Sequence, residues 1–261
     1  MFAEERQEAI LTQARSEGRV DVDALTHGFN VSAETIRRDL KSLERSGQLR
    51  RVHGGAIPSE RLTFEPALAQ RDQVMTREKE AIAARALEEL PETGAILLDS
   101  GSTTRRLAQI IPAGRSLTVV TNSPAIGLSL AHRDEITVML LGGRLRKRTL
   151  ATVDAGAIEA VGNVHVDVAF IATNGLSVPR GLTTPDTAEA SIKRAMIASA
   201  RRVVVLADHT KIGEDYFARF GDLSAIDLLV TDSGLDDAVT AQLTEAGLAV
   251  ARADLPLNRR N

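Results

Sequence analysis

The sequence predicts an α/β protein in two parts: an N-terminal winged helix-turn-helix over residues 1–57 and a larger C-terminal α/β domain over residues 76–254. Three observations carry that reading. The first part shows three short helical periods, each with a capping residue at one end, followed by a Gly-Gly dipeptide between two short runs. From residue 95 onward, brief Val/Ile/Leu runs recur with helical stretches between most of them. Residues 58–75, with Ser59, Pro66 and several charges but no sustained period, read as an interdomain connection, and 255–261 as a tail.

Composition narrows the chemistry. An apolar fraction of 43% and a charged fraction of 26% are ordinary for a globular chain, and cysteine is absent, which excludes disulfides, thiolate metal sites and cysteine nucleophiles. The low aromatic content, 3%, argues against stacking platforms for single-stranded nucleic acid. Met1 to Arg6 shows no signal-peptide pattern, and no apolar run approaches the ~18 residues of a bilayer span, so a soluble, cytoplasmic protein without membrane contact is expected. The net charge of −3 hides an uneven distribution. Residues 1–57 hold nine Lys/Arg and nine Asp/Glu, but within 30–57 the balance is six to three. A local basic excess of that kind suits a polyanion.

Glu4 to Glu17 reads as a helix with Ile10, Leu11 and Ala14 on one face and Gly18 as its C-terminal cap. Val20 to Leu25 opens a second helix, with Asp21 as N-cap and Leu25 and Phe29 on its buried side. Asn30-Val31 makes a tight turn, and Ser32 caps a third helix ending near Ser46. Wound at about 100° per residue, this helix places Ile36, Leu40 and Leu43 on one narrow stripe. Arg38, Lys41 and Arg45 lie opposite, Arg37 and Thr35 flank them, and Glu34, Asp39 and Glu44 are interspersed. The first turn also offers free N–H groups and the positive end of the helix dipole. Gly47 then precedes Gln48 to Ala56, which reads as a β-ribbon turning at Gly54-Gly55, with Arg50, Arg51 and His53 on its arm. Helix, turn, helix and basic ribbon in this order are what insertion into a major groove requires.

In the second part, a helix carrying Ile82, Ala86, Leu87 and Leu90 precedes a strand at Ala95–Asp99. Further strands are expected at 117–121, 136–141, 166–172, 203–207, 228–231 and 248–251. Apolar runs separated by helices point to a parallel sheet covered on both faces. Ligands of such sheets gather at the C-terminal strand ends. Those ends carry Asp99-Ser100-Gly101-Ser102-Thr103-Thr104, Thr121-Asn122-Ser123, Gly142-Gly143, Thr173-Asn174-Gly175 and Asp208-His209-Thr210-Lys211. Hydroxyls and N–H groups at a helix start suit a phosphate. Taken singly, each of these stretches also fits a helix cap or a sharp turn, Asp99 and Asp208 included.

The T-I-R-R-D-L helix at 35–40 together with the R-V-H-G-G-A ribbon at 51–56 closely resembles the start of DeoR-family bacterial transcriptional repressors, whose motif covers roughly Val20 to Asp39 here. The order D-S-G-S-T-T, T-N-S, L-G-G, G-L-T-T-P-D-T-A-E-A-S-I-K-R-A-M-I and V-L-A-D-H-T-K resembles the sensor domain of the same family. The resemblance implies a fold of the ribose-5-phosphate isomerase/CoA-transferase type and a phosphorylated-sugar effector. It also implies a homodimer or higher oligomer on a double-stranded DNA operator. Ser32, Thr35, Arg37, Arg38, Lys41, Arg50, Arg51, His53 and Gly54 are then expected at DNA. Asp99 to Thr104 would form the phosphate side, Thr121, Asn122, Ser123 and Asn174 would line the site, Lys193 would face the sugar or phosphate, and Asp208 and Lys211 would close it. The stretches 172–175 and 181–186 are most similar to members controlling fructose use, which suggests fructose 1-phosphate. No catalytic set, metal or cofactor is expected. An isomerase-like enzyme fused to a DNA-binding module is the rival reading, with Lys193, Asp208 and Asp167 as acid/base groups. Against it, Asn174 stands where such a site wants a carboxylate, and no close carboxylate pair is evident.

Overall fold

A computed structural model describes residues 2–46, 48–52, 54–58, 62, 63 and 65–255; Gly47, His53, Ser59 and the tail beyond residue 255 lie outside them. The chain divides into two compact units, residues 1–70 and 71–261.

The first unit begins with α1 (Ala3–Glu17), β1 (Val20–Asp21), α2 (Val22–Phe29) and α3 (Ala33–Arg45). It ends with β2 (Leu49–Val52) and β3 (Gly55–Pro58). Each boundary follows from its capping chemistry. Gly18 ends α1 in left-handed backbone, and Asp21 accepts from the N–H groups of Asp23 and Ala24. Asn30 ends α2 at φ 51°, and Ser32 Oγ accepts from Thr35 N–H. Ile36, Leu40 and Leu43 pack with Ile10, Ala14, Leu25 and Leu49 in one small core, as the stripe predicts.

Two features of this unit differ from the sequence reading. Val20–Asp21 is a strand and makes the ribbon three-stranded, in the order β1-β3-β2. The passing of β1 explains Gly55, since a Cβ there would lie 1.9 Å from Val20 O; Gly54 is needed instead for its φ of 74°. Asp39, expected among the exposed charges of α3, is buried and accepts from Arg6 Nε at 2.6 Å and Gln7 Nε2 at 2.9 Å. The α1–α3 interface thus closes on a buried ion pair.

The second unit contains α4 (Leu68–Gln73, which begins in the first unit), α5 (Thr76–Ala86), β4 (Thr93–Leu98), α6 (Ser102–Ile110), β5 (Ser116–Thr121) and α7 (Pro124–Leu130). It continues through β6 (Ile136–Leu140), β7 (Arg144–Arg146), β8 (Ala151–Val153), α8 (Ala155–Gly162) and β9 (Val166–Ala172). Then come β10 (Gly175–Ser177), β11 (Gly181–Thr184), α9 (Thr187–Ala198), β12 (Ala200–Leu206), β13 (Ala218–Gly221), β14 (Leu228–Asp232), α10 (Asp237–Glu245) and β15 (Val250–Ala253). The helix α4 corrects the reading of 58–75 as aperiodic. Its six residues are too few to show a period.

All seven expected strands join one sheet in the order β15-β14-β12-β9-β4-β5-β6, every pair parallel. Alternate residues feed two cores. Leu97, Ala169, Ile171, Val203 and Val205 face α8, α9 and α10, whereas Ile96, Leu98, Phe170, Val204 and Leu206 face α5, α6 and α7. The antiparallel hairpin β7–β8 and the sheet β10-β11-β13 are additions that the apolar runs did not reveal.

The strand order fixes where a ligand belongs. From β4 the chain steps outward to β5 and β6, then returns to place β9 on the opposite side of β4 and steps away through β12, β14 and β15. The direction reverses between β4 and β9, and that crevice is the topological switch point of the sheet.

Asp39→Ala leaves the Arg6 guanidinium buried without its carboxylate. We expect the first unit to lose about 3–5 kcal/mol of stability, read as a lowered denaturation midpoint monitored on α1–α3 amides. An unchanged midpoint would show that Arg6 finds solvent when unpaired.

Candidate functional site

On the first unit, the polar face of α3 is available. Arg37, Arg38 and Lys41 are exposed, as is Arg50 on the ribbon, and Thr35 is half-buried beside them. Ser32 Oγ already caps α3 and lies 2.9 Å from Thr35 Oγ1. Arg51 is also committed. Its N–H and Nε donate to Glu44 at 3.0 and 2.7 Å, which fastens the ribbon to α3. These bonds hold the Glu44 carboxyl below its usual range. Gly54 is exposed at the ribbon turn, and His53 lies outside the described residues.

On the second unit, the switch point holds a buried ion pair. Asp99, at the end of β4, is fully buried and accepts from Ala172 N–H at the end of β9 at 3.1 Å. Lys193, reaching in from α9, donates to the same Oδ2 of Asp99 and to Ala172 O at 2.9 Å. Its ammonium also stands 5.5 Å from the centroid of the Phe220 ring. An ammonium has three donors, so one N–H of Lys193 stays available. Asp99 Oδ1 is buried with no hydrogen-bond partner among the described residues.

Next to this pair, α6 begins. Its N-cap, Gly101, supplies no side chain to the first N–H groups. The hydroxyls of Ser100, Ser102 and Thr103 cluster there without a hydrogen bond to any described residue. Thr104 differs, because its hydroxyl donates to Asp99 O at 2.6 Å and holds the loop.

Several other expected residues act as braces. Thr121 Oγ1 donates to Leu98 O at 2.6 Å, and Ser123 caps α7. Asn122 accepts from Ser100 N–H at 2.9 Å and donates to Thr152 O of β8 at 3.2 Å, joining the phosphate-type loop to the β7–β8 hairpin. Asn174 accepts from Thr184 Oγ1 at 3.0 Å. Of the two glycines after β6, Gly143 is a packing requirement, since a Cβ there would meet Val153 O at 2.5 Å.

Asp208 and Lys211 form a second cluster at the end of β12, two strands from β4 and so roughly 10 Å away. Asp208 accepts from Thr210 N–H at 3.2 Å and from its hydroxyl, so it does cap the following turn. Burial disfavours its charged form, but Lys211, the Thr210 hydroxyl and Lys79 outweigh this and hold its pKa below the usual carboxylate range. His209 Nδ1 lies 2.7 Å from Asp232 Oδ2 at the neighbouring strand end.

Sequence reasoning missed two groups here. Lys79 of α5 is buried, and its Nζ donates to Val74 O at 2.6 Å and to Arg71 O. Burial lowers its pKa to about 8 against the opposing pull of Asp208, with Lys211, Arg106 and Arg71 adding to the lowering. The clue was a lysine three residues before Ile82, on the apolar face of the helix. The other group is Glu189, buried one turn before Lys193 on α9, which accepts from Thr149 and, at 3.2 Å, from Arg146. Arg146 also pairs with Asp186 at 3.0 Å. Arg146 bridges the two carboxylates and ties the β7–β8 hairpin to the start of α9.

Two open grooves lie elsewhere. One, of about 500 Å³ beside Ile158, Val164 and Ala195, has no Lys or Arg in its lining; the other, of about 450 Å³, sets Arg252 among Asp236, Asp237 and Asp254. Neither suits an anion. Among the described residues no cluster of His, Asp and Glu could hold a metal, and no helix is long and apolar enough to cross a membrane.

Comparison with known proteins decides the family. Residues 6–61 match the DeoR-like helix-turn-helix domain and residues 74–233 the DeoR C terminal sensor domain. The chain belongs to the DeoR family of transcriptional regulators. It is 38% identical to the HTH-type transcriptional regulator GlpR of Haloferax volcanii, over 95% of this chain and 96% of that one. It is 28% identical to the glycerol-3-phosphate regulon repressor of Escherichia coli, over 92% and 95%. A solved ribose 5 phosphate isomerase A from Neisseria gonorrhoeae aligns with 54% of each chain at a TM-score of 0.39 and 20% identity, too loosely to bear on function. DeoR-family members are regulators, and the enzyme reading is set aside.

Because its pKa is lower in the folded chain than in the unfolded one, Lys79 costs stability while charged, below about pH 8. The unfolded chain then binds more protons from about 8 upward to the ordinary lysine value, so the Lys79 contribution to stability should rise with pH across that window. Subtracting the pH profile of Lys79→Met from that of the parent protein isolates it. A flat difference would mean that Lys79 reaches solvent.

Proposed function

We propose that this chain represses a sugar-utilisation operon in the cytoplasm and leaves its operator when a phosphorylated sugar occupies the switch-point site. One observation carries the reading. At the reversal between β4 and β9, an α6 N-terminus with no side-chain cap and three unpartnered hydroxyls, Ser100, Ser102 and Thr103, stand beside the Lys193 ammonium. Free N–H groups, a helix dipole, hydroxyls and a cation are the donors that a phosphate dianion needs. The name of the Escherichia coli relative, which contains a phosphorylated polyol, agrees with that chemistry.

On the output side, Arg37, Arg38 and Lys41 on α3 and Arg50 on the ribbon meet DNA, Thr35 supports them at the first turn, and Ser32 and Arg51 hold the shape. A homodimer sets two α3 helices on two half-sites. The sugar phosphate favours the conformer whose helices are wrongly spaced, so effector and operator oppose each other by linkage. Fructose 1-phosphate is the first effector to try.

A thermal-shift panel of sugar phosphates tests the sensor, because a ligand of the native state alone raises the melting temperature. Fructose 1-phosphate should raise it, and replacing Ser102 and Thr103 together by alanine should abolish the rise. A panel without any shift would sink the reading. At the DNA face, Arg38→Ala should weaken operator binding by roughly 1–3 kcal/mol if its guanidinium reads a base, measured by fluorescence anisotropy. Equal affinity would remove Arg38 from the interface.

A further inference from the structure

The joint between α4 and α5 is held by side chains of α5 and α6. α4 crosses the division between the two units at Gln70/Arg71, and it ends just before Met75, which adopts φ 52°. A non-glycine residue in that region carries a conformational cost and persists only where its surroundings impose it. Here the surroundings come from the effector side of the second unit. Asp72 accepts from Arg105 Nη2 and, at 2.5 Å, from Arg106 Nη1, and its carbonyl accepts from Arg106 Nη2 at 2.8 Å. Lys79 ties down Arg71 O and Val74 O from the other side of Met75.

Both arginines belong to the opening of α6, the helix whose N-terminus forms the proposed phosphate site. Arg106 Nη1 donates to Ser102 O at 3.1 Å, so its guanidinium folds back along the first turn, about 5 Å from the N-terminal N–H groups. Arg105 and Arg106 share the one carboxylate of Asp72, and Lys79 lies within electrostatic reach of Arg106, Arg71, Lys211 and Asp208. A dianion at Ser102 and Thr103 would compete with Asp72 for the same guanidinium charge and so disturb the groups around Lys79. At these partly buried positions solvent screens the competition only weakly.

We propose that Asp72, Arg105, Arg106 and Lys79 form a relay in which an anion bound at the start of α6 loosens the α4–α5 joint, the covalent path from sensor to DNA-binding unit. The relay rests on the effector-site reading above. Asp72 acts through α6 and does not touch the ligand.

Hydrogen–deuterium exchange on the full chain, with fructose 1-phosphate and separately with inorganic phosphate, tests it. Binding should slow exchange at 100–106 and speed it at 71–79, the latter by at least about threefold. In Asp72→Asn the slowing at 100–106 should persist, while exchange at 71–79 should already be fast without ligand and change little on binding. Lys79→Met, which removes the second tie, should behave in the same way if Asp72→Asn fails to fold. Slower exchange at 100–106 with 71–79 unchanged or slowed overturns the relay alone. No response at 100–106 to either probe overturns the site reading, and the relay with it.

Discussion

Asp99 binds three elements that are far apart in sequence. It terminates β4, takes the Ala172 N–H of β9 across the point where the sheet reverses, and anchors Lys193 of α9. Both charged groups are almost wholly removed from water, which is costly for each alone and tolerable only while they remain together. That requirement sets the separation of β4, β9 and α9 at the crevice. It also aims the start of α6, through Thr104, whose hydroxyl is held by Asp99 O. The Asn122 brace to Ser100 and Thr152 then carries the arrangement to the β7–β8 hairpin. A sensor needs such a fixed frame, because a ligand shifts an equilibrium only by its different affinity for two well-defined states.

The charges around this frame are sorted by depth. Asp99 and Lys193 cancel each other in the interior, and Arg146 joins Glu189 and Asp186 near the hairpin. On the α5–α6 side, Arg105 and Arg106 share Asp72, and Lys79 lies near Arg106, Lys211 and Asp208. The buried Asp99–Lys193 pair keeps the crevice in register. The N-terminal unit follows the same logic on a smaller scale. Asp39–Arg6 and Glu44–Arg51 fix α1 and the ribbon to α3, which leaves Arg37, Arg38, Lys41 and Arg50 as outward cations.

Most of the fold was legible because its signals are local. Asp21, Asn30 and Ser32 mark helix ends through bonds to neighbours two or three residues away, so spacing reveals them. The seven strands of the main sheet are buried on both faces, and such strands must be short, nearly continuous apolar runs. The elements that escaped are those held by partners distant in sequence. β1 has two residues and exists because β3 pairs with it, and α4 has one and a half turns secured by Arg105 and Arg106 more than thirty residues later. The candidate site was legible as a set of polar strand ends, but not in the division of labour among them. Ser102 and Thr104 look alike in sequence, yet only Thr104 spends its hydroxyl on the backbone.

By itself, then, the sequence determined the two-part α/β architecture, the exposed basic face of α3 and the cluster of hydroxyls after β4, since all three follow from periodicity and capping over a few residues. Tertiary structure alone decided that Asp99 is an internal anchor, that Asp39 is buried against Arg6, that Arg51 pairs with Glu44, and that Asp72 meets Arg105 and Arg106. Each of those roles depends on which charges meet after the sheet reverses and the helices dock. No window along the chain contains both partners.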